Sequence, residues 1–319
     1  MKTILVTGGA GFIGSNLIRE LLKESYRVVC VDDFSGDLYD PSFKEEHIKE
    51  FTGDPNFILC RVNVANLAEL RAVFEKEKPI YVAHLAARAN VRNAVKDPRP
   101  YIEVNVGGTL NILELSCEYE VKNLVIASSG SVYGDSADLP WSESQPADKP
   151  VSAYGATKRA AEMLAYTYSR NFAMNIICLR YFNAYGENNR PDLVPYLWTQ
   201  ALLNGEEIEM SGDGSRKRDY TYVGDVVRGT ILALENPLGF EIINIGNSNP
   251  LSLKELLAVF EKVVGKVAKI RVRPSNSVSA ETTFADITKA KKLLGWEPQI
   301  SVEEGLTRLV SWFKQKRLK

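Results

Sequence analysis

The chain has 319 residues, 45% hydrophobic and 25% charged, an ordinary globular composition. Lys and Arg (39) nearly balance Asp and Glu (40), so the net charge of −1 gives no field to draw nucleic acid or an anionic membrane. Cys30, Cys60, Cys117 and Cys178 show no metal-like pairing, and His47 and His84 are the only histidines, which excludes a histidine-based metal site or triad and leaves the metal expectation at none. Reduced thiols, no signal peptide and no apolar stretch long enough to span a bilayer predict a cytoplasmic protein.

Lys2 to Thr7 reads as a short apolar strand and Phe12 to Glu24 as a helix, with Thr7-Gly8-Gly9-Ala10-Gly11-Phe12-Ile13-Gly14 between and across them. Gly8 and Gly11 let the backbone turn tightly and approach a pyrophosphate, and Gly14 lets the helix pack on the sheet. The phosphates then lie at the positive end of the helix. A second strand, Arg27 to Val31, leads into Asp32, where a dinucleotide fold places the carboxylate that holds the adenosine ribose. Asp32 and Asp33 together would repel a 2′-phosphate, and no Arg or Lys follows immediately, so NAD is favoured over NADP.

Strand-like runs continue at Phe57 to Val62, Ile80 to Leu85, Asn123 to Ser128 and Asn175 to Tyr181. Helical patterns lie between them at Leu67 to Glu77, Tyr101 to Glu120 and Tyr154 to Asn171. This alternation predicts an α/β fold with a Rossmann-type, doubly wound parallel sheet. Phe34 to Pro55 reads as a long polar loop, and His84 as a satisfied strand-end residue. Near Asn183 the rhythm changes to short strands, loops and helices, including Pro195 to Asn204, Gly224 to Glu235, Leu253 to Val264 and Val302 to Lys316. The expected division is residues 1–182 for the NAD-binding domain with the catalytic helix, and 183–319 for a smaller C-terminal α/β substrate lobe. The chain is expected to cross between lobes around 224–250.

Tyr154-Gly155-Ala156-Thr157-Lys158 carries the chemistry. Residues four apart share a helix face, so Lys158 can hold its ammonium near the Tyr154 ring and the nicotinamide ribose. A free tyrosine has a pKa of about 10, and acting as a base near neutrality needs a shift of roughly three units, about 4 kcal/mol. The ammonium and an oxidised nicotinamide, both positive, push that way. Ser129, ending the preceding strand, is placed to bind the same substrate hydroxyl.

These segments, with His84-Leu85-Ala86-Ala87, Ser128 to Gly134, Arg180 to Gly186, Gly212-Asp213-Gly214, Arg218-Asp219-Tyr220, Asn244-Ile245-Gly246 and Ala285-Asp286, make the chain resemble the extended short-chain dehydrogenase/reductase family in its nucleotide-sugar branch. Within that branch it is most similar to the UDP-glucose 4-epimerases, with the UDP-glucuronate 4-epimerases close behind. The resemblance implies Ser129, Tyr154 and Lys158 as the catalytic triad. It implies Gly8, Gly11, Phe12, Ile13, Gly14, Asp32, Asn63, Val64, Leu85, Ala86, Ala87, Lys158 and Tyr181 around NAD. Asn63 stands where the family more often has Asp. It implies Ser131, Asn183, Arg190, Arg218, Thr283 and the segment near Ile208 to Ser211 around a UDP-sugar. A pyrophosphate in a cleft calls for a fixed guanidinium such as Arg218; a surface ion pair with Asp219 or Asp225 is the alternative.

Related dehydratases and decarboxylases carry acids after the position of Ser129. Here Gly130 and Ser131 follow, which argues against loss of water and for an epimerase that inverts C4 through a 4-keto sugar. For the sugar, Asn183 is typical of the UDP-glucose/UDP-galactose enzymes. Asn189 to Leu193 resembles a segment of the UDP-glucuronate enzymes, and the small Thr283 leaves N-acetylhexosamines open. The balance favours UDP-glucose/UDP-galactose, then UDP-glucuronate. A net dehydrogenase and a non-catalytic dinucleotide sensor are the other classes. The family resemblance implies a homodimer through the helices Tyr101 to Glu120 and Ala153 to Asn171, which carry Leu110, Leu113, Leu115, Met163, Leu164 and Tyr168.

Overall fold

The computed structural model describes residues 1–274 and 280–317, Arg92 through its backbone alone. Seven strands form one sheet: β1 (Thr3–Thr7), β2 (Arg27–Asp32), β3 (Phe57–Arg61), β4 (Tyr81–His84), β5 (Asn123–Ser129), β6 (Ile176–Tyr181) and β7 (Phe240–Ile245). Their order is β7-β6-β5-β4-β1-β2-β3, and every neighbouring pair is parallel. The six strands read from the sequence all occur, each within one residue at either end. β7 was not read as a strand, because Glu241 and Asn244 interrupt its apolar run. It lies at the sheet edge, where Glu241 pairs with Lys289 at 2.6 Å.

The runs are apolar throughout rather than alternating because both faces are covered. Ile4 and Val6 join one core layer with Leu17, Ile18 and Val226; Leu5 and Val29 join the other with Phe74, Ile112 and Ala165. Leu5 has no solvent exposure, so Leu5→Ala would cost about 2–5 kcal/mol. The helix Ala153–Phe172 is started by the Ser152 hydroxyl, which accepts from Gly155 N at 3.1 Å. A Cβ on Gly155 would lie 2.5 Å from the Ser131 carbonyl oxygen, so glycine lets this helix press onto the end of β5.

Two expectations are corrected. The stretch 34–55 contains a helix, Ser42–Lys49; only His47 and Ile48 of it are buried, so it carries no apolar stripe to read. The single helix expected from Tyr101 is α-helical at Arg99–Tyr101, π-wound at Ile102–Gly108 and α-helical at Thr109–Glu118. Beyond β6, three two-stranded ribbons pair Ala184–Tyr185 with Thr221–Tyr222, Lys217–Arg218 with Leu251–Ser252, and Glu207–Ser211 with Lys269–Arg273. The chain returns to the main sheet through the helix Val223–Glu235 and β7. No helix among the described residues is long and apolar enough to cross a membrane.

Candidate active site

A cleft of about 670 Å³ crosses the C-terminal ends of the strands. It lies where β1 divides the sheet between β4 and β2, the switch point at which open α/β sheets bind ligands. Every single residue named from the sequence as a site candidate lines it, and of the segment Ile208 to Ser211 so do Glu209 and Ser211.

At the dinucleotide end, Gly8 has φ +68°, and a Cβ there would meet Ala86 N at 2.7 Å. A Cβ on Gly14 would lie 2.2 Å from Gly8 O. Both are therefore packing glycines. Gly11, whose Cβ would approach only Gly8 O at 3.1 Å, begins the helix Phe12–Lys23 with no side-chain cap, leaving the first-turn amides to a ligand phosphate. Leu85 N and Ala86 N bind Thr7 O (3.1 Å) and Thr7 Oγ1 (3.2 Å), which holds the opposite wall, including Ala87, against this turn. Asn111 Nδ2 fixes the Val64 carbonyl at 2.9 Å.

Asp32 is buried and accepts from Ala10 N (3.2 Å), Phe34 N (2.9 Å) and Lys44 Nζ (2.9 Å). Asp33 accepts from Arg88 Nη2 at 3.2 Å. No Arg or Lys follows the two carboxylates immediately, but Lys44, on a helix the sequence did not mark, and Arg88 fold back onto them. Asn63 donates to Asp33 Oδ2 at 3.2 Å, while its amide oxygen accepts from Ala65 N at 2.8 Å. An Asp at position 63 would set another carboxylate against Asp33, which gives the amide a physical reason. A glycine turn, an uncapped helix start and a carboxylate ending β2 fit a dinucleotide.

At the centre, Ser129 Oγ donates to Ser131 Oγ at 3.2 Å and accepts from Ser131 N at 3.1 Å. Lys158 is buried, and its Nζ donates to the Ala127 carbonyl at 2.7 Å. Burial pushes its pKa down to about 8. Burial raises that of Tyr154, against the lowering effects of the Ser129 hydroxyl and the Arg190 charge. Arg190, expected from the sequence to face the substrate, is thus also a cation that acts on Tyr154. His84 is framework: its Nδ1 meets Thr7 Oγ1 at 2.7 Å and its Nε2 meets Thr109 Oγ1 at 3.0 Å. Thr109 in turn donates to Asn105 O at 2.6 Å, and Asn105 donates to Thr157 of the catalytic helix at 3.0 Å. Tyr181 lines the cleft with its ring and spends its hydroxyl on Thr230 at 2.7 Å.

At the far end, Arg190 grips Asp192 through two nitrogens (2.9 and 2.7 Å) and Ala89 O at 3.0 Å. Arg218 donates to Lys217 O (2.7 Å) and Glu281 O (3.1 Å). The alternative partners are otherwise engaged: Asp219 accepts from Asn247, Ser248 and Ala285 N–H groups, and Asp225 binds Arg228. Arg216 and Arg273, which the sequence did not mark, stand in the same wall, paired with Glu281 (2.8 Å) and Glu209 (3.1 Å). Glu209 and Ser211 face the cleft, whereas Ile208 and Met210 are buried, as strand alternation requires. Thr283 donates to Asn183 Oδ1 at 3.0 Å. Residues 275–279, shortly before Thr283, lie outside the described residues.

A family model, the NAD dependent epimerase/dehydratase family, matches residues 4–246. The chain is 42% identical over 316 residues to a UDP-glucuronate 4-epimerase of Thermodesulfobacterium geofontis, covering 99% of this chain and 97% of that one. Among solved structures it is similar to the UDP-glucuronic acid 4-epimerase from Bacillus cereus with UDP-glucuronic acid and NAD (TM-score 0.91, 35% identity, 98% and 99% covered). It is equally similar to the UDP-glucose 4-epimerase from Thermotoga maritima with UDP-glucose (TM-score 0.92, 34% identity, 99% and 100% covered). The chain belongs to the NAD-dependent epimerase/dehydratase family. It is an enzyme of the isomerase kind, and its cofactor is NAD.

Proposed function

We propose that this enzyme inverts C4 of a UDP-hexose through a transient 4-keto sugar, and that UDP-glucuronate is its substrate. NAD, when bound, supplies the acceptor and donor of the C4 hydride. Gly11 and the first turn after it would hold its pyrophosphate, Asp32 its adenosine ribose, and Asn63 and Val64 its adenine. Tyr154 takes the C4 hydroxyl proton and later returns it, Ser129 orients that hydroxyl, and Lys158 supplies positive charge beside them. Gly130 and Ser131 offer no acid or base to expel water. Arg216, Arg218 and Arg273 suit the UDP pyrophosphate. Anchoring there leaves the sugar ring free to present either face.

The observation that carries the choice of sugar is Arg190, a cation in the cleft close enough to act on Tyr154 and already shaped to grip a carboxylate. The similarity to UDP-glucuronate 4-epimerases supports the same choice, which moves the emphasis from the glucose/galactose pair favoured by sequence. Asn183, tied to Thr283, supports UDP-glucose/UDP-galactose as the second reading. Parallel assays with UDP-glucuronate, UDP-glucose and UDP-N-acetylglucosamine decide: the highest kcat/KM is expected for the first, and a higher value for either of the others overturns the choice.

A homodimer is part of the proposal. Ile102, Met163 and Tyr166, from the two helices expected to pair, are exposed apolar side chains, while Leu113 and Leu115 pack inward on the sheet. Sedimentation of a lone monomer at micromolar concentration would remove it.

A further inference from the structure

We infer that Glu162 and Arg180 are positioning residues that clamp Ser129 opposite Tyr154, an inference that rests on reading those two hydroxyls as the proton-transfer pair. Glu162 lies four residues beyond Lys158 and eight beyond Tyr154, on the same face of the same helix. Its side chain is fully buried and holds Arg180 through two bonds of 2.8 Å. A buried ion pair is a poor device for stability alone, since apolar side chains of similar volume often serve as well.

The pair acts on both sides of Ser129. Behind it, Ser128 donates its hydroxyl to Glu162 Oε1 at 2.6 Å. Ahead of it, the Arg180 guanidinium lies 4.6 Å from the Tyr133 ring centroid, and the Tyr133 hydroxyl is fixed on Asn244 Oδ1 at 2.9 Å. Between these points the chain makes only the short turn Gly130–Tyr133, in which Gly130 is pressed on Phe182: a Cβ there would lie 3.0 Å from the ring. Lys158, on the Ala127 carbonyl, ties the strand once more to the same helix. Helix and strand end are thus locked in register by Ala127, Ser128 and Tyr133, and Ser129 has little freedom left relative to Tyr154.

The test uses the NAD-loaded enzyme and two variants. Ser128→Ala removes one arm of the clamp and leaves the ion pair; Glu162→Gln breaks the pair. We expect kcat to fall about tenfold in the first and about 100-fold in the second. KM should stay within about threefold and NAD should remain bound. Folded Ser128→Ala with kcat within about twofold of the parent overturns the clamp, and so does a loss confined to KM. Should Glu162→Gln fail to fold, Ser128→Ala decides alone. A parent enzyme inactive on every UDP-hexose would sink the reaction assignment instead. The crystallographic position of Ser129 Oγ then decides: a displacement of about 1 Å in Ser128→Ala supports the clamp, and an unmoved hydroxyl refutes it.

Discussion

The centre of the cleft and its sugar end are built by opposite means. Ser129, Tyr154 and Lys158 stand where a buried strand meets a 20-residue helix, fixed by packing on both faces of the sheet and by a buried ion pair. Arg218 stands on a two-residue strand, Asn183 just before another and Thr283 in a loop, held by hydrogen bonds to backbone and to one another. The Asp219 carboxylate, gathering three backbone N–H groups at 2.9 to 3.1 Å, does for these loops what the apolar core does for the centre. A rigid centre sets one chemistry; a hydrogen-bonded rim lets few substitutions change which sugar enters.

The sharpest way to break this contrast is Tyr154→Phe. Removing the hydroxyl should lower kcat by about 10²–10⁴-fold while NAD still copurifies. Near-normal turnover would move the chemistry elsewhere. Arg190→Met should slow both substrates through the charge lost beside Tyr154, and kcat/KM for UDP-glucuronate should fall at least tenfold more than that for UDP-glucose, roughly the worth of one lost charge-assisted bond. Equal losses would leave Arg190 no part in choosing the sugar.

Two pH effects are smaller. Lys158 is held at about pKa 8, so it loses its charge as pH rises past 8. kcat should decline there, and a pH–rate profile flat to pH 10 would show that the ammonium is dispensable. His84 is held at about 3 and His47 at about 4 by burial, both below the ordinary 6.5. Their folded pKa values are depressed, so the stability they lend is complete above pH 6.5 and is lost as pH falls toward 4 and then 3. Each costs about 1.4 kcal/mol per pH unit in that window. Urea midpoints at pH 7.5, 6 and 5 should fall in step, and constant midpoints would contradict the burial of neutral imidazoles.

The same contrast explains what the sequence revealed. The six strands β1 to β6 and the glycine turn are written in runs of neighbouring residues, and a single register brings Gly8, Asp32, Ser129 and Tyr154 to one cleft. Lys44 and Arg88 were hidden because they reach Asp32 and Asp33 from 12 and 55 residues away, Lys44 on a helix with no apolar stripe. Glu162 and Arg180 each occupy positions that packing alone could explain; only the contact between them shows a charge pair under Ser129. The arginines of the rim come from separate loops, and nothing in the spacing of 216, 218 and 273 announces one wall.

The most direct test incubates the purified enzyme, without added cofactor, with UDP-glucuronate in D2O and follows C4 by NMR. The account predicts interconversion of the two C4 epimers with the C4 hydrogen retained. Deuterium appearing at C4, or turnover only when free NAD is supplied, would contradict it.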